Sequence, residues 1–365
     1  MGNKNLSAAK EAKKDEFYTQ LEDINKELKY YREHFRGKTV LCNCDDPRIS
    51  NFFTYFAYNF EFLGLKRLIT TCYKNQDVDL FSQNKSEQAV YLIYDGDKNG
   101  NRIPDPEEIG IHALKGDGDF RSKECIELLK QADIVVTNPP FSLFREYVAQ
   151  LMEYEKKFLI IGNQNNITTK EVFPLIEQGK MWLGHHSGDM SFRVPTDYEA
   201  RETRYWQDET GQKWRSLGNI CWYTNLDYKE RHEDIILYKN YTPEDYPTFD
   251  NFDAINVGKV DEIPVDYDGV MGVPITFLDK YNPDQFEILG LTQIGCHDVV
   301  PDTKKYNDYK EMLRSTDEPT GSGGGKTNEN AVLKGKGSKK TYYLGPNGEL
   351  VHSEYKRLFI RKKQN

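Results

Sequence analysis

The chain lacks the features that would place it in a membrane or outside a cell. None of its 365 residues lie in an apolar run that approaches the length of a membrane span, about 20 residues. The segment 1–14 is polar and rich in lysine, without the apolar centre of a secretory signal peptide. The sequence therefore predicts a cytoplasmic protein that has no membrane partner.

Cysteine is scarce and its spacing is irregular, which argues against two kinds of site. The six cysteines include no Cys-x-x-Cys pair, and no histidine stands at a metal-ligand spacing from them. Cys42 and Cys44 alternate along one predicted strand, so both side chains point to the same face. We expect buried free thiols, and neither a zinc site nor disulfides.

Positively charged residues are fewer than negatively charged ones. The chain has 49 Lys and Arg and 58 Asp and Glu, which gives a net charge of −9. Taken alone, this balance argues against a nucleic-acid partner. The segment 326–365, however, carries ten basic and three acidic residues, whereas 227–268 carries twelve acidic and four basic residues. Phosphate contact requires only a local basic surface, so the basic end could bind a nucleic acid or could be a solvated tail.

Apolar runs and helical periodicities alternate along the first half of the chain. Strands are predicted at 39–44, 65–73, 88–94, 133–137 and 157–162. The helices predicted around and between them are 15–33, 49–63, 122–131 and 143–154, of which the first is either one amphipathic helix or a cap followed by a helix. This alternation predicts an α/β fold with a doubly wound, Rossmann-like sheet and right-handed crossovers.

The pattern changes beyond Gly184. Charged residues, Trp and Tyr fill 185–219 without a clear period, and the glycines at 321–325 predict a flexible loop. We therefore predict a boundary near Gly184, between a first domain of residues 1–184 and a C-terminal region of residues 185–365.

The loop at 95–109 contains Asp-Gly-Asp-Lys-Asn-Gly-Asn, which resembles the first half of a calcium-binding loop. The glutamate that would complete such a loop falls one position late, and a strand rather than a helix precedes it. We expect an ordered polar turn here and no metal site.

The segment Asn138-Pro139-Pro140-Phe141 follows the apolar run 133–137, which is typical of a buried parallel strand. Two prolines directly after a strand end its hydrogen-bonded ladder and favour an extended turn. Ligands of open α/β sheets bind at the carboxyl ends of the strands, where this turn would place one amide and one aromatic ring. A purely structural turn is the alternative, but the strand before it and the helix after it favour a functional one.

These residue types suit the transfer of a methyl group to a flat, conjugated amine such as that of adenine. The amine nitrogen is a poor nucleophile because its lone pair is delocalised into the ring. Asn138 Oδ1 and the Pro139 carbonyl could accept both amine hydrogens and let the nitrogen become tetrahedral, while Phe141 stacks on the base. Catalysis would consist mainly of positioning and of stabilising the charge that develops on nitrogen.

The methyl donor of such a reaction, S-adenosylmethionine, would bind beside this turn. The turn after the first strand contains Asn43, Asp45, Asp46 and Pro47 but lacks the glycines that are typical of methyltransferases. A carboxylate there could pair with the ammonium group of the cofactor, or both aspartates could merely cap a helix.

A second pair of cofactor-binding candidates is Asp119 and Phe120, in the turn Gly-Asp-Gly-Asp-Phe. The carboxylate could accept a hydrogen bond from the amine of the cofactor's adenine, and the ring could stack on that adenine. A turn that starts a helix is the structural alternative for the pair.

A base in duplex DNA must rotate out of the stack before it enters such a pocket, at a cost on the order of a few kcal/mol. Phe141 would stack on one face of the base, and Trp222 or Tyr223 could cover the other, although aromatic residues on strands more often lie in the core. Acidic residues in the basic, aromatic stretch that contains most of these candidates also allow a solvated surface. We predict DNA contacts at Arg193, Arg201, Arg204, Lys213, Arg215 and Trp222.

Seven segments resemble the EcoRI-type family of adenine-specific DNA methyltransferases, and they span most of the chain. These segments are DEFYTQLEDI (15–24), NCDDPRISNFF (43–53), GDGDFRS (116–122), TNPPFSLFREYV (137–148), IIGNQN (160–165), VPITFLDKYNPDQFEILG (273–290) and YKRLFIR (355–361).

The resemblance implies an S-adenosylmethionine-dependent catalytic domain in the first domain and target recognition in the C-terminal region. It implies that residues 1–37 contact the cofactor and that Phe17, Tyr18 and Thr19 reach its methionine end. The implied substrate is an adenine flipped out of double-stranded DNA at a specific site. The implied setting is a bacterial or phage cytoplasm, where the modification protects DNA and pairs with a restriction endonuclease.

Two alternatives stay open on the residues alone. Turns of the Asn-Pro-Pro-Phe type also serve the methylation of RNA adenine and of protein glutamine. The missing glycine-rich turn would suit a DNA-binding relative that has lost catalysis. The aromatic and arginine-bearing C-terminal half favours the DNA enzyme.

Overall fold

The computed structural model describes residues 17–44, 50–71, 89–195, 198–295 and 298–364. The chain divides into unit 1, which is Met1–Ile167 with Lys180–Tyr228, and unit 2, which is Thr168–Gly179 with Lys229–Asn365. Each unit has its own sheets and its own apolar core.

Unit 1 is built on one sheet. Its strands are β1 (Thr39–Cys42), β2 (Arg67–Thr71), β3 (Val90–Tyr94), β4 (Ile109–Ala113), β5 (Ile134–Thr137), β6 (Lys157–Asn163), β7 (Trp182–Arg193), β8 (Tyr205–Gln207) and β9 (Lys213–Thr224). They lie in the order β4-β3-β2-β1-β5-β6-β9-β7, and β8 pairs with β9. Strands β2, β1, β5 and β6 are parallel, whereas the outer pairs are antiparallel. The predicted Rossmann-like α/β fold is confirmed, with antiparallel strands added on both sides.

The described helices of unit 1 begin and end at recognisable residues. They are α1 (Leu21–Leu28), α2 (Arg32–Phe35), α3 (Asn51–Tyr58), α4 (Phe60–Leu63), α5 (Lys123–Gln131) and α6 (Phe144–Glu153). The Ser50 hydroxyl accepts a hydrogen bond from the Phe52 amide at 3.2 Å and so caps α3. Gly64 ends α4 with a φ of 63°. Nowhere in the described ranges does a helix reach the length and apolar character needed to cross a membrane.

The predicted helix at 15–33 is two shorter helices, α1 and α2. Tyr18 forms an isolated β-bridge with Arg193, so the chain is extended before Leu21 and cannot be helical there. Tyr31 then breaks the helical path between α1 and α2 with a ψ of 9°.

The parallel strands carry the core of unit 1. Every residue of β1 and of β5 is buried, which is why both strands appear in the sequence as continuous apolar runs. Burial of each large apolar side chain contributes about 1.5–3 kcal/mol. Of the described cysteines, Cys42, Cys125 and Cys221 are buried and Cys44 is partly buried, and none of these four forms a disulfide.

The boundary that the sequence predicts near Gly184 lies inside β7, and the structure corrects it. β7 pairs with β9, and β9 pairs with β6, so the hairpin completes the sheet of unit 1. Its pairing register shifts twice, between Leu183 and Ser187 and between Gly188 and Met190. Such bulges interrupt the two-residue alternation that would have revealed the strands in the sequence.

Unit 2 contains α7 (Phe173–Glu177) and two sheets. The first has the order β10-β11-β18-β12, with β10 (Ile255–Asn256), β11 (Met271–Pro274), β12 (Phe286–Leu291) and β18 (Arg357–Lys362). The second has the order β14-β13-β16-β17-β15, with β13 (Lys310–Leu313), β14 (Pro319–Gly323), β15 (Val332–Lys334), β16 (Thr341–Leu344) and β17 (Leu350–Ser353). The predicted flexible loop at 321–325 is wrong in its first half, because β14 pairs with β13 there.

Candidate active site

The carboxyl ends of β1 and β5 meet at one edge of the sheet in unit 1. β1 lies between β2 and β5, so the strand order reverses direction at β1. Such a reversal opens a crevice at the carboxyl ends of the strands, where ligands bind in open α/β sheets. Asn43 follows β1 and Asn138 follows β5, and the Thr137 hydroxyl donates a hydrogen bond to the Asn43 carbonyl. Two of the predicted site residues are therefore brought together at this edge.

Asn138 has two side-chain atoms with different surroundings. Its Nδ2 donates a hydrogen bond to the Phe17 carbonyl at 2.6 Å. Its Oδ1 is buried and has no hydrogen-bond partner within the part of the chain that the structure describes. Leaving a buried acceptor unsatisfied costs about 1–3 kcal/mol, so this oxygen marks a place that a ligand's donor would complete. Pro139 is buried and Pro140 is extended, with a φ of −55° and a ψ of 125°, as the sequence predicts for this turn.

Aromatic rings gather beside the amide. The Phe141 ring stacks on the Phe17 ring, with centroids 5.3 Å apart and planes inclined by 22°. Phe192, at the end of β7, meets both rings edge-on. One buried amide oxygen and a flat aromatic surface thus share the same edge.

The segment 17–20 runs past this edge as an extended chain. Tyr18 exchanges two main-chain hydrogen bonds with Arg193, at 2.9 and 3.2 Å. The side-chain amide of Asn51 donates a hydrogen bond to the Thr19 main-chain carbonyl at 2.7 Å. The Thr19 hydroxyl is buried and, within the described ranges, has no hydrogen-bond partner. The segment that the family resemblance assigns to the cofactor therefore adjoins the turn after β5 and offers it an unused hydroxyl.

Asn43 is buried behind the edge. Its side-chain oxygen accepts a hydrogen bond from the Tyr147 hydroxyl on α6, and burial holds the pKa of Tyr147 well above its ordinary value. Sequence analysis missed Tyr147, because a tyrosine on the apolar face of a helix has the pattern of an ordinary core residue. The predicted cofactor residues Asp45, Asp46 and Pro47 lie outside the described residues.

Asp119 and Phe120 lie just before α5 and face α6. Arg121 binds the Asp119 carboxylate at 2.7 Å and also reaches Glu146 at 2.9 Å. Burial raises the pKa of Asp119, but hydrogen bonds from Arg121 outweigh this effect and hold the pKa below its ordinary value. The Phe120 ring meets the Tyr147 ring edge-on at 5.0 Å, which connects the pair to the edge.

Thr70 is another residue that sequence analysis missed. It lies on β2 beside Cys42 of β1, and its buried hydroxyl has no hydrogen-bond partner in the described part of the chain. Threonine is common in strands, so the sequence offered no signal for it.

Five of the residues predicted to bind DNA lie on the β7–β9 hairpin and the loop within it. We call them the hairpin cation cluster: Arg193, Arg201, Arg204, Lys213 and Arg215. Arg201 is exposed, and the Arg193 guanidinium lies 5.3 Å from the centroid of the Tyr18 ring. Arg215 is partly buried and donates a hydrogen bond to the Thr203 carbonyl.

Two further members of the hairpin cation cluster also have partners within the protein. Arg204 binds Asp189 at 2.9 Å, and a side chain at Gly218 would collide with both residues of this pair. Lys213 donates to the Tyr198 carbonyl at 2.9 Å. Three members of the cluster are therefore held in place, Arg215 and Lys213 by main-chain carbonyls and Arg204 by an exposed acid.

Trp222 contradicts the prediction that it contacts DNA. It is 0% exposed, lies in the middle of the core of unit 1 and meets Phe52 edge-on at 6.2 Å. Its strand is central rather than peripheral, because β9 lies between β6 and β7. The tryptophan that the hairpin does expose is Trp206, which is 41% exposed and stacks on Trp214.

The polar loop before β4 is ordered by its own side chains. The Asp97 carboxylate accepts hydrogen bonds from the Gly100 and Arg102 amides, each at 2.7 Å. Glu108 accepts from the Lys98 amide at 2.6 Å. The loop is the ordered polar turn that the sequence predicts. Across the described ranges, no three His, Cys, Asp or Glu side chains come together in a way that could hold a metal ion.

Comparison with known proteins supports the family that the sequence motifs indicate. The family profile described as "Adenine-specific methyltransferase EcoRI" matches residues 5–363. Type II methyltransferase M.EcoRI of Escherichia coli is 54% identical over 291 residues, which cover 79% of this chain and 89% of that protein. Two mycoplasma proteins are each 39% identical. Type II methyltransferase M.MgeORF184P of Mycoplasma genitalium matches 78% of this chain and 85% of its own length. Type II methyltransferase M.MpnI of Mycoplasma pneumoniae matches 83% of this chain and 90% of its own length. The chain therefore belongs to the EcoRI family of adenine-specific methyltransferases.

Proposed function

We propose that the protein transfers a methyl group from S-adenosylmethionine to the exocyclic nitrogen of an adenine that has flipped out of double-stranded DNA at a specific sequence. Membership in an adenine-specific methyltransferase family supplies the reaction type. The observation that carries the assignment of the site is the buried Asn138 Oδ1, for which the described residues provide no donor.

Asn138 acts on the amine by holding its hydrogens. Its Oδ1 accepts one hydrogen and the Pro139 carbonyl accepts the other, which draws the nitrogen lone pair out of conjugation with the ring. The oxygen is buried, so water does not compete for the amine and the interaction is stronger than it would be in bulk solvent. After transfer, the two oxygens stabilise the positive charge on nitrogen until one of its hydrogens is lost as a proton to bulk water.

The residues around the edge fit the cofactor, which when bound supplies a methyl group on a positively charged sulfur. The unused Thr19 hydroxyl offers a hydrogen bond, the ionised Asp119 offers an acceptor, and Phe17 and Phe120 offer apolar faces. The proposed set that holds the cofactor follows the sequence prediction. It comprises Phe17, Tyr18, Thr19, Asn43, Asp45, Asp46, Pro47, Asp119 and Phe120.

The flipped adenine stacks on the face of Phe141 that Phe17 does not cover. Such stacking returns about 1–3 kcal/mol per base, which offsets part of the cost of leaving the duplex. We assign DNA backbone contact to the hairpin cation cluster, because Arg193, Lys213 and Arg215 lie on strands of the sheet that carries the reacting edge. Target recognition is assigned to this hairpin together with unit 2.

The biological setting proposed for this activity is the cytoplasm of a bacterium or of a phage-infected cell. Methylation there would protect DNA from a partner restriction endonuclease of the same specificity. The names of the three relatives, all Type II methyltransferases, support this setting.

Transfer of labelled methyl from S-adenosylmethionine to three acceptors tests the proposal. We expect label in double-stranded DNA, and we expect base-resolution sequencing to place it at the exocyclic nitrogen of adenine within one short recurring sequence. Incorporation into RNA adenine or protein glutamine instead of DNA would contradict the proposal.

A further inference from the structure

We infer that the main-chain carbonyl of Phe17 is a positioning group for the reaction, because it decides which way the Asn138 carboxamide faces. The inference rests on the proposed function and adds to it. It gives the N-terminal segment a second role, apart from contact with the cofactor.

The direction of the carboxamide follows from the chemistry of its partner. A carbonyl oxygen can only accept hydrogen bonds, so the side-chain atom 2.6 Å from the Phe17 carbonyl must be the Asn138 nitrogen. The oxygen of the same amide then lies on the other side, where it is buried and without a partner among the described residues. The acceptor that polarises the adenine amine is thus presented by a hydrogen bond made at the other end of the amide.

The Phe17 carbonyl is held firmly enough to do this. The next residue, Tyr18, is tied to Arg193 of β7 by two main-chain hydrogen bonds. The residue after that, Thr19, is tied through its carbonyl to Asn51 of α3 at 2.7 Å. The Phe17 ring is itself buried and stacks on Phe141.

A buried carboxylate fixes the following helix to the same strand. Glu27 of α1 is fully buried and accepts hydrogen bonds from the main-chain amides of His185 and His186 in β7, at 2.8 and 2.9 Å. It also accepts one from the Tyr31 hydroxyl at 2.9 Å. The chain from Phe17 to Glu27 is therefore anchored to β7 at both ends, which keeps the carbonyl in place.

This arrangement explains why an amide, and not a carboxylate, suits position 138. An aspartate would place an oxygen against the Phe17 carbonyl, and two acceptors at hydrogen-bond distance repel each other. Only the protonated acid could donate to that carbonyl and leave its other oxygen for the adenine amine. Burial and the facing carbonyl would both raise the pKa of the introduced carboxyl.

The test is the pH dependence of Asn138→Asp. We expect its turnover on DNA to be at least about 100-fold below that of the unmodified protein at pH 8, and to rise about tenfold for each unit that the pH is lowered until the carboxyl is protonated. Binding of S-adenosylmethionine, measured by calorimetry, should persist at both ends of the range. The unmodified protein should show no such rise.

The titratable or charged side chains on the described segments around Asn138 include Tyr18 and Arg193, Tyr198 against the Phe17 ring, and Tyr147 with its neighbour Cys44. They are the same in both proteins, so a rise confined to the variant belongs to the new carboxyl.

Asn225→Asp is the matched control. Asn225 also donates to a main-chain carbonyl, that of Lys156 at 2.9 Å, but it follows β9 and lies beside the start of β6, at the opposite end of that strand from the reacting edge. Its turnover should follow the profile of the unmodified protein.

Thermal stability provides a readout that needs no activity. A carboxyl whose pKa is raised by folding stabilises the folded state at low pH, and that contribution is lost as the pH rises through the raised pKa. The melting temperature of Asn138→Asp should therefore fall, relative to that of the unmodified protein, as the pH goes from 5 to 8.

The outcomes separate the two proposals. A variant that turns over within about threefold of the unmodified protein at pH 8, or one that is inactive at every pH with no pH-dependent loss of stability, would overturn the role of the Phe17 carbonyl. Failure of the unmodified protein to methylate DNA would overturn the proposed function, while the stability readout would still test the carbonyl.

Discussion

Two polar regions of unit 1 satisfy their side chains in opposite ways. At the edge formed by β1 and β5, Asn138 and Thr19 are buried, and each keeps one polar atom without a partner among the described residues. On the hairpin, Arg204 and Lys213 are outside the core, and each already has a partner within the protein. A buried unsatisfied atom gains a full hydrogen bond when a ligand arrives, whereas a surface cation exchanges one partner for another. Changes at the edge should therefore have much larger effects on DNA methylation than changes in the hairpin cation cluster.

The largest difference in folding stability is expected between substitutions of a buried and of an exposed tryptophan in the hairpin. Trp222→Ala is expected to lower the free energy of unfolding by about 3–5 kcal/mol, because it leaves a cavity in the core. Trp206→Ala, at the exposed end, should change it by no more than about 0.5 kcal/mol. Urea denaturation of both variants measures the difference. A stable Trp222→Ala protein that has lost only its DNA affinity would restore the prediction made from the sequence.

Asn138→Ala should separate catalysis from binding. Loss of one acceptor for the charged transition state is expected to reduce single-turnover methyl transfer by about 100- to 1,000-fold. Affinity for S-adenosylmethionine, measured by calorimetry, should be unchanged. Asn101→Ala, in the exposed polar loop, serves as the control and should retain full turnover. Near-normal transfer by Asn138→Ala would show that its Oδ1 does not act in catalysis, and the edge would then be no more sensitive to substitution than the hairpin cation cluster.

Phe141→Ala tests the aromatic half of the edge. Removal of a stacking face is expected to weaken capture of the flipped base by about 1–3 kcal/mol. Fluorescence of 2-aminopurine at the target position reports how far the base leaves the duplex, and the variant should show a smaller rise. Phe62→Ala, whose side chain is 66% exposed on α4, should behave as the unmodified protein. Equal base flipping by both variants would count against Phe141 as the stacking partner.

The smallest effects are expected for the ion pair of the hairpin cation cluster, and its two members should give effects of opposite sign. Arg204→Ala removes a phosphate contact and should lower the slope of log affinity against log salt by about 0.9. Asp189→Ala removes the acid that binds Arg204 and should strengthen DNA binding, by less than about 1 kcal/mol. Titration of DNA at several salt concentrations measures both. Weaker binding by both variants would show that the Arg204–Asp189 pair stabilises the local structure and that Arg204 does not contact phosphate.

The parallel part of the sheet could be predicted because buried parallel strands are continuous apolar runs, and because prolines 139 and 140 end the last of these runs before the site. Gly64 made the end of α4 predictable as well. The pairing of β7 with β9 was not predictable, since its bulges break the alternation of apolar and polar residues. Trp222 was misassigned for the same reason, because its central position depends on that pairing.

The sequence predicts the acceptor at the edge but not the contacts that position it. The acceptor role of Asn138 follows from the turn in which it stands. The hydrogen bond that orients it joins residues 121 positions apart, and no local spacing can indicate such a contact. The hydroxyls of Thr19, Thr70 and Tyr147 belong to segments whose patterns predict only helix or strand.

A crystal structure with DNA and a cofactor analogue that cannot transfer its methyl group tests the central claim most directly. The account predicts a flipped adenine whose exocyclic nitrogen lies about 2.9 Å from Asn138 Oδ1, while Asn138 Nδ2 keeps its bond to the Phe17 carbonyl. An adenine that enters the crevice with its amine bound elsewhere, or a carboxamide turned the other way, would contradict it.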